Sequence, residues 1–95
     1  MSRKEIDPEI QAAAKSYAAR FSEKTAVAHF ITFWREDGRT LASIDYNESR
    51  ALSWAYQAGG ECYAVLPIAG GTGATIAHVK PLTERQWRAG LVGRR

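Results

Sequence analysis

The 95 residues predict an α+β fold in two layers. The expected architecture is a four-stranded, mainly antiparallel sheet with two helices on one face, in the order αββαββ, plus a short C-terminal helix. Three observations carry this. Asp37-Gly38 sits between two runs of strand composition, a strong two-residue hairpin signal because both turn positions take positive φ. Each of two stretches, around residues 8–21 and 47–58, shows apolar residues at helical spacing ahead of a pair of strand-like runs. The second pair of runs, 61–69 and 74–80, brackets a glycine-rich segment. Helix-then-hairpin, stated twice, gives a sheet that helices must cover.

Residues 1–6 are polar and read as a loose N-terminus. Asp7 is an N-cap with Pro8 at the first helical position, where a missing N–H costs nothing. Ile10, Ala13, Ala14, Tyr17, Ala18 and Phe21 then line one face of a helix. Residues 25–35 switch to valine, isoleucine, threonine and aromatics. With Asp37 and Gly38 as the turn, Glu36 pairs with Arg39, Trp34 with Leu41, Phe33 with Ala42 and Ile31 with Ile44. One hairpin face then carries Val27, His29, Ile31, Phe33, Ala42, Ile44 and Tyr46, and is assigned to the core. The other carries Ala28, Phe30, Thr32, Trp34, Leu41, Ser43 and Asp45.

Asn47 caps the second helix, with Glu48 favourably placed in its first turn. Ala51, Leu52, Ala55 and Tyr56 form its stripe, with Trp54 at the edge. Gly59-Gly60 ends it. The third strand, 61–69, places Cys62, Ala64, Leu66 and Ile68 on one side, and Pro67 near a sheet edge or bulge. After the fourth strand, Thr83 and Gln86 have capping-box spacing for a last helix holding Trp87 and Leu91.

A single domain over residues 1–95 follows from the length, with 82–95 forming a basic helix and tail. The content is 45% apolar and 24% charged, ordinary for a globular protein. No apolar run reaches the roughly 20 residues that span a bilayer, so no membrane contact is expected. The charged N-terminus has no apolar stretch behind it, unlike a signal peptide. One cysteine, Cys62, allows no internal disulfide and fits a reducing cytoplasm. The net charge of +3 is uneven. From Lys80 onward there are five basic residues and one acid, while residues 1–79 hold eight basic and nine acidic residues.

The segment Gly70-Gly71-Thr72-Gly73 invites a phosphate-loop reading. A dinucleotide fingerprint needs a third glycine where Ile76 stands, and a helix where Thr-Ile-Ala-His-Val follows. A P-loop needs Lys-Ser/Thr after the last glycine, and Ala74-Thr75 stands there. The segment is therefore expected to be a solvent-exposed hairpin turn with no bound nucleotide, and no cofactor is implied. Cys62 with His29 or His78 could pair as nucleophile and base, but all three fall within strands, away from loop and cleft positions. Two histidines and one cysteine at wide spacing match no zinc pattern, so no metal is expected. The chain does not read as an enzyme.

Two binding readings remain. Phe30, Trp34 and Leu41 share the outer hairpin face, where solvent is a poor neighbour and aromatic anchors for a protein partner belong. That partner is a second copy of the chain or a target protein, unless the last helix folds over the face through Trp87 and Leu91. The alternative is a small nucleic-acid-binding accessory protein using Arg85, Trp87, Arg88, Arg94 and Arg95, arginines for phosphates and tryptophan for a base. In size, αββ layout and lack of motifs, the whole chain resembles the small phage-encoded anti-CRISPR inhibitors. The resemblance implies a non-catalytic inhibitor that occludes a subunit of a CRISPR effector in the host cytoplasm. Those proteins share no motif, so it transfers no site residue. Many are acidic DNA mimics, and the charge of +3 counts against that mode here.

Overall fold

The computed structural model describes residues 5–20, 27–68 and 73–93, with side chains to residue 90. Seven elements follow in order: α1 (Pro8–Ala19), β1 (His29–Glu36), β2 (Arg39–Asp45), α2 (Glu48–Ala58), β3 (Glu61–Pro67), β4 (Ala74–His78) and α3 (Glu84–Gly93). They form an α+β fold with one four-stranded sheet, ordered β2-β1-β3-β4, every neighbour antiparallel.

Local chemistry set the elements as the sequence predicts. Asp7 accepts a hydrogen bond from the Glu9 amide at 2.8 Å, and Pro8 opens α1. Asp37 and Gly38 take φ of 54° and 76°, the double left-handed geometry of a type I′ turn. The expected hairpin register follows: Glu36 faces Arg39, Trp34 faces Leu41, Phe33 faces Ala42 and Ile31 faces Ile44. Asn47 accepts from the Arg50 amide at 2.9 Å, and Gly59 closes α2 in the left-handed region at φ 70°. Thr83 and Gln86 exchange reciprocal bonds of 3.0 and 3.1 Å, a complete capping box for α3.

β3 and β4, on either side of the glycine segment, pair antiparallel. The Ile68 amide donates to the Gly73 carbonyl at 3.3 Å, and Ala74 begins a strand rather than a helix. Gly70, Gly71 and Thr72 lie outside the described residues. Gly73 departs from the expected exposure. It is buried at φ 93°, where a β-carbon would lie 3.5 Å from the Ala18 carbonyl of α1. Pro67 ends β3 beyond Val65, the last residue paired with β1, so its missing N–H leaves no gap in the ladder.

The helices do not share a face, which corrects the two-layer expectation. Ile10 and Ala14 of α1 pack with Ile31, Phe33, Tyr63 and Val65. Ala51 and Ala55 of α2 pack with Cys62 and, half-buried, Phe30 on the opposite side. The Thr32 hydroxyl donates to the Ala51 carbonyl across that second interface, at 3.4 Å. The sheet is thus the middle of three layers. The reason is topological. β2 and β3 flank β1 and run parallel to each other, so α2 is a crossover connection. Chain handedness, rather than relative apolarity, selects the face such a helix covers.

A second correction follows. Val27, Ala42, Ile44 and Tyr46, expected in the core, are exposed; Val27 is 57%, Ile44 50% and Tyr46 67% accessible. α1 lies over β1, β3 and β4, where Ala74 and Ile76 join its core, and it leaves Ala42 and Ile44 of β2 exposed.

Candidate binding surfaces

Phe30, Trp34 and Leu41 do share one side of the first hairpin, but that side is not open. Each is half-buried. Phe30 packs with the Ala51–Ala55–Cys62 cluster. The Trp34 ring meets the Trp54 ring of α2 edge to face, with centroids 5.4 Å apart and planes at 86°. Its indole N–H donates to Glu36 Oε1 at 3.1 Å. The internal partner of Trp34 is therefore α2, not the C-terminal helix as the sequence suggested. Trp54 closes the pair from outside and keeps 41% of its surface accessible. The sequence places Trp54 at the edge of the α2 stripe; the face that α2 covers, which no local pattern records, brings it against Trp34.

α3 is held by a different contact. Trp87 stacks on Tyr56 of α2 at 4.8 Å and 15° between planes. One face of its ring is thus already occupied, and its indole N–H is buried with no hydrogen-bond partner among the described residues. Arg85 and Arg88 are exposed. Arg88 is bonded to Glu84 at 2.7 Å, one turn away, which neutralises part of the basic end. Arg94 and Arg95 lie outside the described residues.

The groups that could carry catalysis are kept apart. Cys62 pairs with Thr32 and lies on the α2 side of the sheet. His29 and His78 share the α1 side, since His29 alternates with the core residues Ile31 and Phe33, and His78 faces Tyr63. The sheet itself separates thiol from imidazoles. Burial pushes the Cys62 thiol up to about 11; the nearby Glu48 charge adds to this, and a hydrogen bond with Thr32 opposes it. At neutral pH it is a protonated, inert thiol. His29 Nδ1–H donates to the Val27 carbonyl at 2.8 Å, and its Nε2 shares a 2.9 Å hydrogen bond with the Tyr17 hydroxyl. His78 Nε2 is 2.7 Å from Glu61 Oε1.

Two clefts flank α1. The larger, about 410 Å³, includes Asp7, Arg35 and Glu61 in its walls. Arg35 there is already bound to Asp7 (3.6 Å), Glu9 (3.3 Å) and Thr40 (2.8 Å), tying α1 to the first hairpin. The smaller, about 250 Å³, includes Lys15, Tyr63 and His78. Among the described residues, neither lining includes a serine, threonine or cysteine. No group of three or more metal-ligating side chains occurs among the described residues. No described helix is long and apolar enough to cross a membrane.

Comparison with protein-family models, with curated proteins and with solved structures found no match to this chain.

Proposed function

We propose that this chain is a non-catalytic binding protein whose contact with a protein partner centres on Trp34 and Trp54. The observation that carries the reading is the edge-to-face pair at the surface of the α2 side, with Trp54 41% accessible and Leu41 half-buried opposite Trp34 in the register. A rigid indole backed by a second indole offers a large apolar contact at little cost in side-chain freedom, as an interface anchor requires. The separation of Cys62 from both histidines supports a role without catalysis.

The resemblance to phage-encoded inhibitors makes a subunit of a CRISPR effector complex the partner to test. Purified protein is titrated against assembled effectors, and loss of target-DNA binding is measured. Inhibition is expected, and Trp54→Ala should weaken it about thirtyfold, the equivalent of roughly 2 kcal/mol at a central anchor. The variant should remain folded by circular dichroism, because Trp54 lies at the outer edge of its cluster. Absence of inhibition removes the effector as partner. Full inhibition by folded Trp54→Ala removes the tryptophan pair as the anchor.

A further inference from the structure

The outer edge of β2 carries what a second copy of the same strand requires. A type I′ turn makes its flanking residues, Glu36 and Arg39, a hydrogen-bonded pair. Such pairs then recur at every second position: Trp34–Leu41, Thr32–Ser43 and Phe30–Asp45. Thr40, Ala42 and Ile44 consequently turn their N–H and C=O groups away from β1, toward an edge with no described strand beyond it. Edges of this kind are normally guarded by proline, inward charge or a bulge. β2 reads Arg-Thr-Leu-Ala-Ser-Ile-Asp and pairs with β1 without interruption.

We infer that two copies of this chain join through β2, antiparallel about a two-fold axis at Ala42, to make one continuous sheet. β2 runs Arg39–Asp45, so Ala42 is its midpoint and the strand overlaps its copy along its whole length. Ala42 then faces Ala42 of the second copy, and Thr40 faces Ile44. These are the positions whose backbone groups point outward, so each opposed pair exchanges both N–H···O bonds. Arg39 falls opposite Asp45 of the second copy, and the axis repeats that pairing. Arg39 has no ion pair among the described residues, and at the other end of the strand the Asp45 carboxylate, held by Arg50 of its own chain at 3.0 Å, takes Arg39 of the second copy as a second cation. A strand basic at one end and acidic at the other is complementary to itself only when antiparallel. Centring the axis on Ser43 instead would set Arg39 against Asn47 and lose both charge pairs. On the α1 side, the exposed Ile44 gains Thr40 and Ala42 of the second copy as neighbours. An axis normal to the sheet keeps both α1 helices on one side and both α2 helices on the other. The inference does not rest on the tryptophan pair, and the two are tested by different residues.

Sedimentation velocity of the full chain at about 100 µM, a concentration that populates even a micromolar dimer, should give a dimer. Ala42→Pro removes an N–H that β1 does not use, so a folded monomer is expected. Arg39→Glu leaves the backbone untouched and sets like charges opposite; it should weaken association about tenfold. For register, Ala42→Cys places two thiols on residues about 5.5 Å apart at Cα, within disulfide reach, and should crosslink on mild oxidation. Ser43→Cys should not. Buried Cys62 stays out of the reaction. A wild-type monomer at this concentration overturns the inference, as does a dimer unaffected by both Ala42→Pro and Arg39→Glu. Crosslinking through Ser43→Cys in place of Ala42→Cys overturns the register.

Discussion

Against α1 the sheet presents Ile31, Phe33, Tyr63 and Val65; against α2 it presents Thr32 and Cys62, with Phe30 half-buried beside them. The first side is filled by volume. Phe33 meets Tyr17 and Tyr63 edge to face at 6.4 and 6.1 Å, and Ile10 completes the contact from the helix. The second is closed by approach. Its helix contributes Ala51 and Ala55, and Thr32 reaches the helix backbone directly. Gly60, at the corner between α2 and β3, lies so near β1 that a β-carbon there would fall on the Phe33 carbonyl oxygen and 2.8 Å from Trp34 Cβ. One sheet thus has an interface that fails when side chains shrink and an interface that fails when they grow.

The sharpest test of the filled side is Phe33→Ala, which should cost about 3–5 kcal/mol in urea unfolding, the usual range for a buried phenylalanine. A loss below about 1 kcal/mol would mean that the aromatic cluster does not carry that side. The close-approach side is probed by the opposite change. Gly60→Ala adds one methyl group and should cost about 2–3 kcal/mol, because the atoms in the way are backbone and a β-carbon rather than a flexible tip. If Gly60→Ala is neutral by thermal melting, the corner has slack and the contrast between the sides dissolves.

Smaller effects sharpen the same comparison. Thr32→Val keeps shape and removes a long hydrogen bond to a helix carbonyl; about 1 kcal/mol is expected. A larger loss would show that polar contact, and not proximity alone, holds α2. Outside both interfaces, the Asp45 carboxyl lies below the ordinary carboxylate range, chiefly through its hydrogen bond with Arg50, with the Asn47 amide assisting. Its folded pKa is depressed, so its contribution is present above the unfolded value near 4 and is lost as pH falls through the folded one. Asp45→Asn should therefore destabilise slightly at neutral pH and flatten the acid limb of the stability profile. An unchanged acid limb would separate this link from folding.

The features legible in the sequence are those written within a few residues. Asp37-Gly38 fixed the turn, and through period two the entire register of β1 on β2. Thr83 and Gln86 marked the start of α3, and Asn47 that of α2. What was illegible depends on which side of the sheet the chain crosses, a property no local window contains. Ranking the faces by apolarity put both helices over Val27, Ile44 and Tyr46, and left Trp34 facing solvent. Moving α2 to the other side exposes the first three and gives Trp34 its neighbour Trp54. The stacking of Trp87 on Tyr56 was hidden for the same reason. Gly60 read as half of a helix stop, and its close approach to β1 emerges only once β3 is docked. Phe30, Trp34 and Leu41 share one side of the hairpin, as the alternation implies, but Trp54, which meets Trp34, comes from a distant element.

The position of β1 between β2 and β3 has a kinetic consequence. Its pairing with β2 closes over two residues and belongs to the microsecond class of hairpin events. Its pairing with β3 spans all of β2 and α2, and neither sheet side can seal until that distant segment arrives. Folding should then have a division of labour in time. The first hairpin supplies a strand whose register is already settled, and arrival of β3 with the α2 helix is the slow, entropy-limited step. Substitutions in the Asp37-Gly38 turn should chiefly change how fast that template forms, while Gly60 variants should act on the docking that completes it.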